Sequence, residues 1–380
     1  MEKFYAIAIA RNPHIQIYEG LTELLGLVAR MSNQLEIICP VRSFEDEPLW
    51  KPDRVSYSFV QPKNARLGIP TTFKLFVHAL VKSLKNPPNI IIGGDRIGNI
   101  VAALIHRLLG TPFIYYGLEL PCLRLPNITW ADKLEHWSII SANMVVTMDD
   151  HHATFICAQT GISKNKCVIL PNAVSGPLNG RRNDLLRKRF SLQESDVLLL
   201  HAGGIGHAQQ SLELADMARE WGNRYHLIFH AHCRMDGEQY FQQFANTLQK
   251  SQNVHLNNEP VSMEQLDNLV GSADIGIAWY DHDLLGYRAE LLGLAAGKIG
   301  RYLKNGLPVI ARNLPTIKEY LDRYECGICV DRLDEITAAI DTIKNDYERY
   351  SKNALRCYEE LWKPEPYLQE IQRRIEKIVH

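Results

Sequence analysis

The 380-residue sequence has no long apolar run, no excess of one sign of charge, no repeat of solenoid period and no framework of paired cysteines. Each absence excludes something. No stretch reaches the ~18 apolar residues that a membrane-crossing helix requires, and the run after Glu2 and Lys3 is too short for the core of an export signal. The expected compartment is therefore the cytoplasm. Lys and Arg number 42 against 43 Asp and Glu, a formal charge of −1, so no global field would hold a nucleic acid backbone and no nucleic acid partner is expected. The eight cysteines are Cys39, Cys122, Cys157, Cys167, Cys233, Cys326, Cys329 and Cys357. They fall mostly within apolar, strand-like runs, as reduced core thiols do.

What is present is an ordinary globular composition, 46% apolar and 22% charged. At roughly 100 to 200 residues per domain the chain is long enough for two domains. Short runs rich in Val, Ile, Phe and Tyr alternate with amphipathic stretches of helical length, the pattern of parallel sheets with crossover helices, so the fold class is α/β. In the first half the pattern predicts strands at Phe4 to Ala10, Leu35 to Val41, Val55 to Val60, Asn89 to Gly94, Phe113 to Gly117, Met144 to Met148 and Cys167 to Leu170. A second series follows at Val197 to Ala202, Tyr225 to Ala231, Asn253 to Leu256, Ile275 to Tyr280, Leu307 to Arg312 and Cys326 to Val330.

Between the two series the run SGPLNGRRND, Ser175 to Asp184, crowds Gly, Pro, Asn and Arg together as linkers do. The expected organisation is a first domain at 1–174, a linker at 175–184, a second domain at 185–362 and a terminal segment at 363–380. After Asp331 the pattern is helical to Trp362, with a break at Pro364 to Pro366 and a last helix from Tyr367 to Val379. Doubly wound domains bind ligands outside the carboxyl ends of their strands, so two of them are expected to face a shared cleft lined by those loops.

Two loops carry chemistry. HAGGIGHAQQ, His201 to Gln210, follows the first strand of the second series. Its glycines would let the backbone approach a phosphate, and the helix start beyond would offer unpaired N–H groups. As a dinucleotide fingerprint it fails, because Gln209 stands where the third glycine belongs. A plain structural turn and a ligand-contacting loop both remain open on this feature. The second run, Gly293 to Leu321, places Ala295, Ala296 and Gly297 before a short helix with Lys298 in its first turn. A cation at a helix N-terminus opposes the macrodipole unless an anion shares the place. That makes Lys298 the leading candidate for contact with a diphosphate, against the reading of a solvated surface lysine.

GKIGRYLKNGLPVIA, VTMDDHHATF followed by KNKCVILPNAV, the HAGGIG loop and VSMEQLDNLVGSADIGIAWY together resemble a glycosyltransferase of the GT-B fold, near family 4 (the group 1 family), from about Met144 to Glu359. The resemblance implies two Rossmann-like domains, a C-terminal helix crossing back to the first, and a nucleotide-diphosphate sugar as co-substrate with no other cofactor. It implies donor binding at Gly203, Gly204, Gly206, Ala296, Gly297, Lys298 and Ile299. Lys298 matches a lysine that some subgroups place three residues before a conserved acid. Here that acid is Arg301, and the family's glutamate pair falls at Gly293 and Arg301, so neither glutamate is kept. The family's cations at the first glycine loop appear as Gly204 and as His207 or Gln209. Arg288 is the candidate to supply missing charge.

On the acceptor side Glu119 follows the strand FIYYG, where a buried carboxylate would orient or deprotonate a hydroxyl. A cleft-edge surface acid is the competing reading. Asp95 and Arg96 are weaker candidates after another strand, and Arg11, Asn12 and His14 stand where the family often has glycines.

No metal is expected. Asp149, Asp150, His151 and His152 are consecutive and cannot all converge on one ion, which leaves Asp149 or Asp150 as a helix N-cap. His230 and His232 lack a third ligand, and Cys326 and Cys329 lack a second pair. The stretch Thr71 to Lys85 puts Phe73, Phe76, Leu80 and Leu84 on one side and Lys74, Lys82 and Lys85 elsewhere. It reads either as a helix packed on the sheet or as a basic amphipathic helix resting peripherally on the inner face of an anionic membrane. The expected activity is transfer of a hexose-type sugar to a glycan or lipid-linked hydroxyl, retaining and metal-independent. A catalytically silent nucleotide-binding scaffold and a nucleotide-sugar epimerase of the same fold are the alternatives.

Overall fold

A computed structural model describes residues 4–41, 48, 50–61, 69–121, 128–180, 183–231 and 237–379. The chain divides into two compact units, one formed by Met1–Ser175 with Pro364–His380 and the other by Gly176–Lys363.

Among the described residues the first unit contains seven strands: β1 (Phe4–Ile9), β2 (Ser32–Pro40), β3 (Val55–Val60), β4 (Ile90–Gly93), β5 (Phe113–Tyr116), β6 (Met144–Thr147) and β7 (Cys167–Ile169). They form one parallel sheet in the order β3-β2-β1-β4-β5-β6-β7, with Ala8 opposite Ile37 on one side and Ile92 on the other. Ile7, Ile9, Ile37, Ile92, Ile114 and Val145 are fully buried. A strand buried on both faces reads as continuous aliphatic sequence, which is why these segments were conspicuous. The order reverses between β1 and β4, the switch point of a doubly wound sheet.

The final helix, Pro364–Val379, packs in this first unit against the helix Glu19–Met31 and β7. Leu368, Ile371 and Ile375, one helical face, are buried there. The expected break at Pro364 to Pro366 is instead the first turn of this helix, and the chain bends one residue earlier, at Lys363. Proline is tolerated there because the first N–H groups of a helix have no internal acceptor to lose.

The second unit contains β8 (Val197–Ala202), β9 (Tyr225–His230), β10 (Val254–Asn257), β11 (Ile275–Ala278), β12 (Val309–Arg312) and β13 (Gly327–Val330). All are parallel, in the order β10-β9-β8-β11-β12-β13, and this sheet reverses between β8 and β11. On one side Trp279, Phe229, Phe244 and Ile340 pack into a continuous core. The helix Gly297–Lys304 lies against β11, with the Tyr302 ring over Gly276. A Cβ at Gly276 would stand 2.2 Å from that ring, so only glycine permits the approach. The Tyr302 hydroxyl accepts the Ala202 N–H at 2.8 Å and donates to the Ile277 carbonyl at 3.3 Å, tying β8 to β11 at their carboxyl ends.

Candidate functional site

The carboxyl ends of β8 and β11 bring together residues far apart in sequence. Gly203, directly after β8, has φ +152°, and its N–H donates to the His230 carbonyl at 3.0 Å. A Cβ there would come within 3.2 Å of Lys298 Nζ, so the glycine both permits the turn and leaves room for the ammonium. Lys298 is the second residue of the helix Gly297–Lys304, and Ala296 is its N-cap. The Ile299 N–H turns back to the Ala296 carbonyl at 2.7 Å. The amides of Gly297 and Lys298 open the helix and have no acceptor within it.

Lys298 Nζ lies 3.5 Å from His201 Nε2 and 5.0 Å from the centroid of the Tyr280 ring. The side chain keeps some solvent access, yet its ammonium is crowded enough that desolvation lowers its pKa to about 7. No carboxylate is paired with it among the described residues. His201 is fully buried at the end of β8. Desolvation first, and then the Lys298 charge, push it well below the ordinary histidine range, against a backbone hydrogen bond at Gly204. A neutral imidazole therefore faces a desolvated ammonium, with aromatic and backbone groups completing the surroundings. Such an ammonium is stabilised by any anion that reaches it.

The first glycine loop is used differently from expectation. A short 3-10 turn, His207–Gln209, intervenes before the helix Ser211–Ala218. The Ser211 and Leu212 amides donate to the Gly206 carbonyl and the Tyr240 hydroxyl, and the Gly206 N–H donates to Ser211 Oγ at 3.2 Å. This helix start is satisfied internally and offers those amides to no ligand.

Two positions where the resembled family has glutamates have local reasons to differ. Gly293 has φ +40°, a conformation that side chains rarely adopt. Arg301 is buried and pairs with Asp267, which also accepts from buried Lys304 at 3.0 Å. Its guanidinium is thus held inside the unit. Arg288 sits on the short helix Tyr287–Glu290 and is not among the neighbours of Lys298 given above.

Among the acceptor-side candidates, Glu119 is exposed after β5, so the burial that the general-base reading called for is not there. Asp95 is buried and caps the helix Arg96–Leu109, accepting from the Ile97 and Gly98 amides and from the Arg11 N–H. Burial nonetheless raises its pKa. Arg96 pairs with Asp132 and Glu135. These weaker candidates hold the fold. Asn12 accepts the His14 N–H at 2.8 Å in a local turn.

Asp149 caps the helix Asp150–Thr160 through the His152 N–H. His230 faces the Asn257 carbonyl at 3.2 Å, while His232, Cys122 and Cys233 lie outside the described residues. The six described cysteines are free thiols. Among the described residues no three His, Cys, Asp or Glu side chains are grouped as a metal would need. A groove of about 330 Å³ lined by Asn143, Asn165, Arg373, Arg374 and Lys377 lies at the amino-terminal ends of β6 and β7, away from the loops described above.

A second cluster at the carboxyl ends went unread in the sequence. Gln210 accepts from the Trp279 indole at 2.7 Å and donates to Asp281 at 2.9 Å, and Arg312 lies over the Trp279 ring at 5.9 Å. His201, Tyr280 and Tyr302 were likewise missed as parts of a site. For His201 and Tyr280 the only signal was a polar or aromatic residue at the end of an apolar strand, and Tyr302, inside a helix, had none.

Residues 214–366 match the family described as Glucosyltransferase 3-like, C-terminal domain. No curated protein matches the sequence. Among solved structures, HepE of Anabaena in complex with UDP and glucose aligns at TM-score 0.71 and 12% identity, over 98% of this chain and 100% of that one. Sucrose-phosphate synthase from Thermosynechococcus elongatus aligns at 0.71 and 12%, over 99% of each. UDP-GlcNAc 2-epimerase from Neisseria meningitidis, bound to UDP-GlcNAc, aligns at 0.64 and 13%, over 98% and 100%. At such identities the likeness establishes architecture, and one architecture hosts several chemistries. The chain has the GT-B fold, and its residues 214–366 are similar to the glucosyltransferase 3-like C-terminal domain.

Proposed function

We propose that this chain transfers a sugar from a nucleotide-diphosphate donor to a hydroxyl of a glycan or lipid-linked glycan. The observation that carries the reading is Lys298, a desolvated ammonium with no carboxylate partner among the described residues, held between Gly203, His201 and Tyr280. It stands within the region that matches a glucosyltransferase family. The donor diphosphate is assigned to Lys298, the backbone of Gly203 and Gly204, and the helix start at Ala296 to Ile299. As the bond from the anomeric carbon to the diphosphate breaks, negative charge grows on the departing oxygen. A cation already in place stabilises that charge more than it stabilises the intact donor, which is what accelerates the step.

Retention at the anomeric carbon and independence of metal follow from the resemblance and belong to the proposal. The second unit, near residues 185–362, is assigned the donor. The first is assigned the acceptor, with Glu119 as a polar contact rather than a desolvated base.

The epimerase alternative draws on the architectural likeness to the Neisseria enzyme. Radiolabelled UDP- and GDP-sugars separate the readings. Release of free nucleotide, lost in Lys298→Ala, supports transfer. An isomerised sugar still attached to its nucleotide supports epimerisation, and binding without turnover a silent scaffold. If neither UDP nor GDP at millimolar concentration raises the Tm, the donor assignment fails.

A further inference from the structure

Two thiols meet in the first unit, on elements that the donor chemistry does not use. Cys157 lies in the last turn of the helix Asp150–Thr160, and Cys167 opens β7 ten positions further on. Their sulfurs are 3.7 Å apart. Between them the helix ends at Gly161, which has φ +72° and donates its N–H to the Cys157 carbonyl, and the 3-10 turn Lys164–Lys166 returns the chain to the sheet. Helix and strand thus already hold the two ends of a short connection together. The sulfurs need close only about 1.7 Å to reach bonding distance.

Access separates this pair from another among the described residues. Cys326 and Cys357 are also hydrogen-bonded to each other, but both are fully buried in the second unit, where solvent reaches neither. Cys157 is half-buried, so solvent touches one member of its pair, while Cys167 beneath it is buried. Burial first, and then the neighbouring Cys157, push the Cys167 pKa up to about 12, against the opposing charges of Arg374 and of Lys164, itself paired with Asp150. Cys157 is therefore the sulfur that meets a reagent. Cys167 waits behind it, relieved of its neighbour's charge once Cys157 is capped.

We propose that Cys157 and Cys167 are a reversible redox site, oxidised to an intramolecular disulfide by low-molecular-weight disulfides such as oxidised glutathione. The Cys157 thiol gives up its proton and attacks one sulfur of the reagent. A mixed disulfide forms, and the first glutathione leaves as a thiolate that takes up that proton. Cys167 then gives up its proton and attacks Cys157 Sγ, and the second glutathione leaves in the same way. Two cysteine thiols are oxidised, one reagent disulfide is reduced to two thiols, and excess thiol reverses both steps. The bond ties the helix Asp150–Thr160 to β7, the last strand of its sheet, and closes the connection whose Asn165 carbonyl accepts from Arg374 of the final helix. Where thiols are kept reduced, a disulfide of this kind is transient. The inference does not rest on the donor chemistry proposed above.

The test is equilibration of the folded full chain in buffers of oxidised and reduced glutathione, with the products read by peptide mass mapping. A Cys157–Cys167 cross-link, removed by dithiothreitol, is expected while Cys326 and Cys357 stay reduced. Its equilibrium constant against glutathione should be about tenfold larger in the folded chain than in urea, because folding holds the sulfurs in contact. Cys167→Ala, which keeps the buried position apolar, should stop at glutathione on Cys157, and Cys157→Ser should show no cross-link. Unchanged Tm and UDP response of the reduced variants certify the fold, and they keep a failed donor assignment distinguishable. Cys167→Ser is the second variant should Cys167→Ala misfold. Glutathione retained on Cys157 of the parent without a cross-link overturns the proposal, as does absence of any reaction at Cys157. An equilibrium constant no larger in the folded chain than in urea also overturns it, because the fold would then not favour the bond.

Discussion

Lys298 Nζ and His201 Nε2, 97 positions apart in sequence, stand 3.5 Å from each other at the carboxyl end of β8. Both are pushed toward their neutral forms, Lys298 to about 7 and His201 well below 6.5. Two bases share this desolvated place, and an anion that reaches it favours the charged form of Lys298.

The first consequence is a linkage between nucleotide binding and protons. A diphosphate beside Lys298 favours its charged form and raises its pKa, so binding at pH 8 takes up a proton that the free protein had released. Calorimetric titration with UDP in buffers of different ionisation enthalpy should show this uptake, fading below pH 6 where Lys298 is already charged. An uptake that is unchanged in Lys298→Met would exclude Lys298 as its source. Stability of the free protein carries the matching sign. Between about pH 7 and 10.5 the unfolded chain holds a proton that folded Lys298 has lost, so this group adds stability as pH rises. Below 7 its cost is fully present. Its slope stays under the one-proton limit of about 1.4 kcal/mol per pH unit, because the side chain keeps some access to water. His201 adds a loss of stability as pH falls through 6.5.

Removing the ammonium separates binding from folding. Lys298→Met should leave the Tm of the free protein at pH 7 unchanged or raised, because a desolvated charge is replaced by an apolar chain of similar length. The same change should weaken UDP binding about 10- to 100-fold, equal to ~1.4–2.7 kcal/mol, and lower donor turnover by at least as much. A large fall in Tm with unchanged affinity would mean that Lys298 is a structural residue.

Lys298 was legible in the sequence because a cation in the first turn of a helix is locally unfavourable and asks for a reason. His201 was not. A histidine within LLLHA reads as a core residue, and its contact with Lys298 exists only because β8 pairs with β11. Most of the described strands were legible because a strand buried on both faces is written as a short aliphatic run between turns, whereas the half-buried edge strand β3 was marked by its Val, Tyr and Phe. Their ends were less so: β2 begins at Ser32, since the polar Ser32 and Gln34 pair with β1 through backbone groups that leave no mark on side-chain pattern. In Thr71 to Lys85 the apolar side was visible. That it faces water follows from what packs beneath it, which periodicity does not encode.

Gly203 tests whether the turn and the ammonium are one device. Gly203→Ala forces a side chain onto φ +152° and places its Cβ 3.2 Å from Lys298 Nζ. Strain of this kind costs about 1–3 kcal/mol. UDP affinity should fall together with Tm, while Gly222→Ala, whose added Cβ meets open space, should leave both nearly unchanged. A lowered Tm with full UDP affinity would show that the turn and the anion site are separate.

Asp267 tests what became of the charge at position 301. Arg301 and Lys304 are both buried, and both point to the single carboxylate of Asp267, which is only partly shielded from water. Asp267→Asn keeps the shape and replaces the carboxylate that both cations contact with an uncharged amide. Breaking a buried ion pair from one side costs about 3–5 kcal/mol, and the partial exposure of Asp267 places this case at the lower end. Urea unfolding should therefore show a lower midpoint. Adding Arg301→Met and Lys304→Met to Asp267→Asn should recover much of the loss, because apolar chains need no partner there. If the triple variant stays as unstable as the single one, the three residues are not a closed structural set, and Arg301 must be reconsidered as a donor contact.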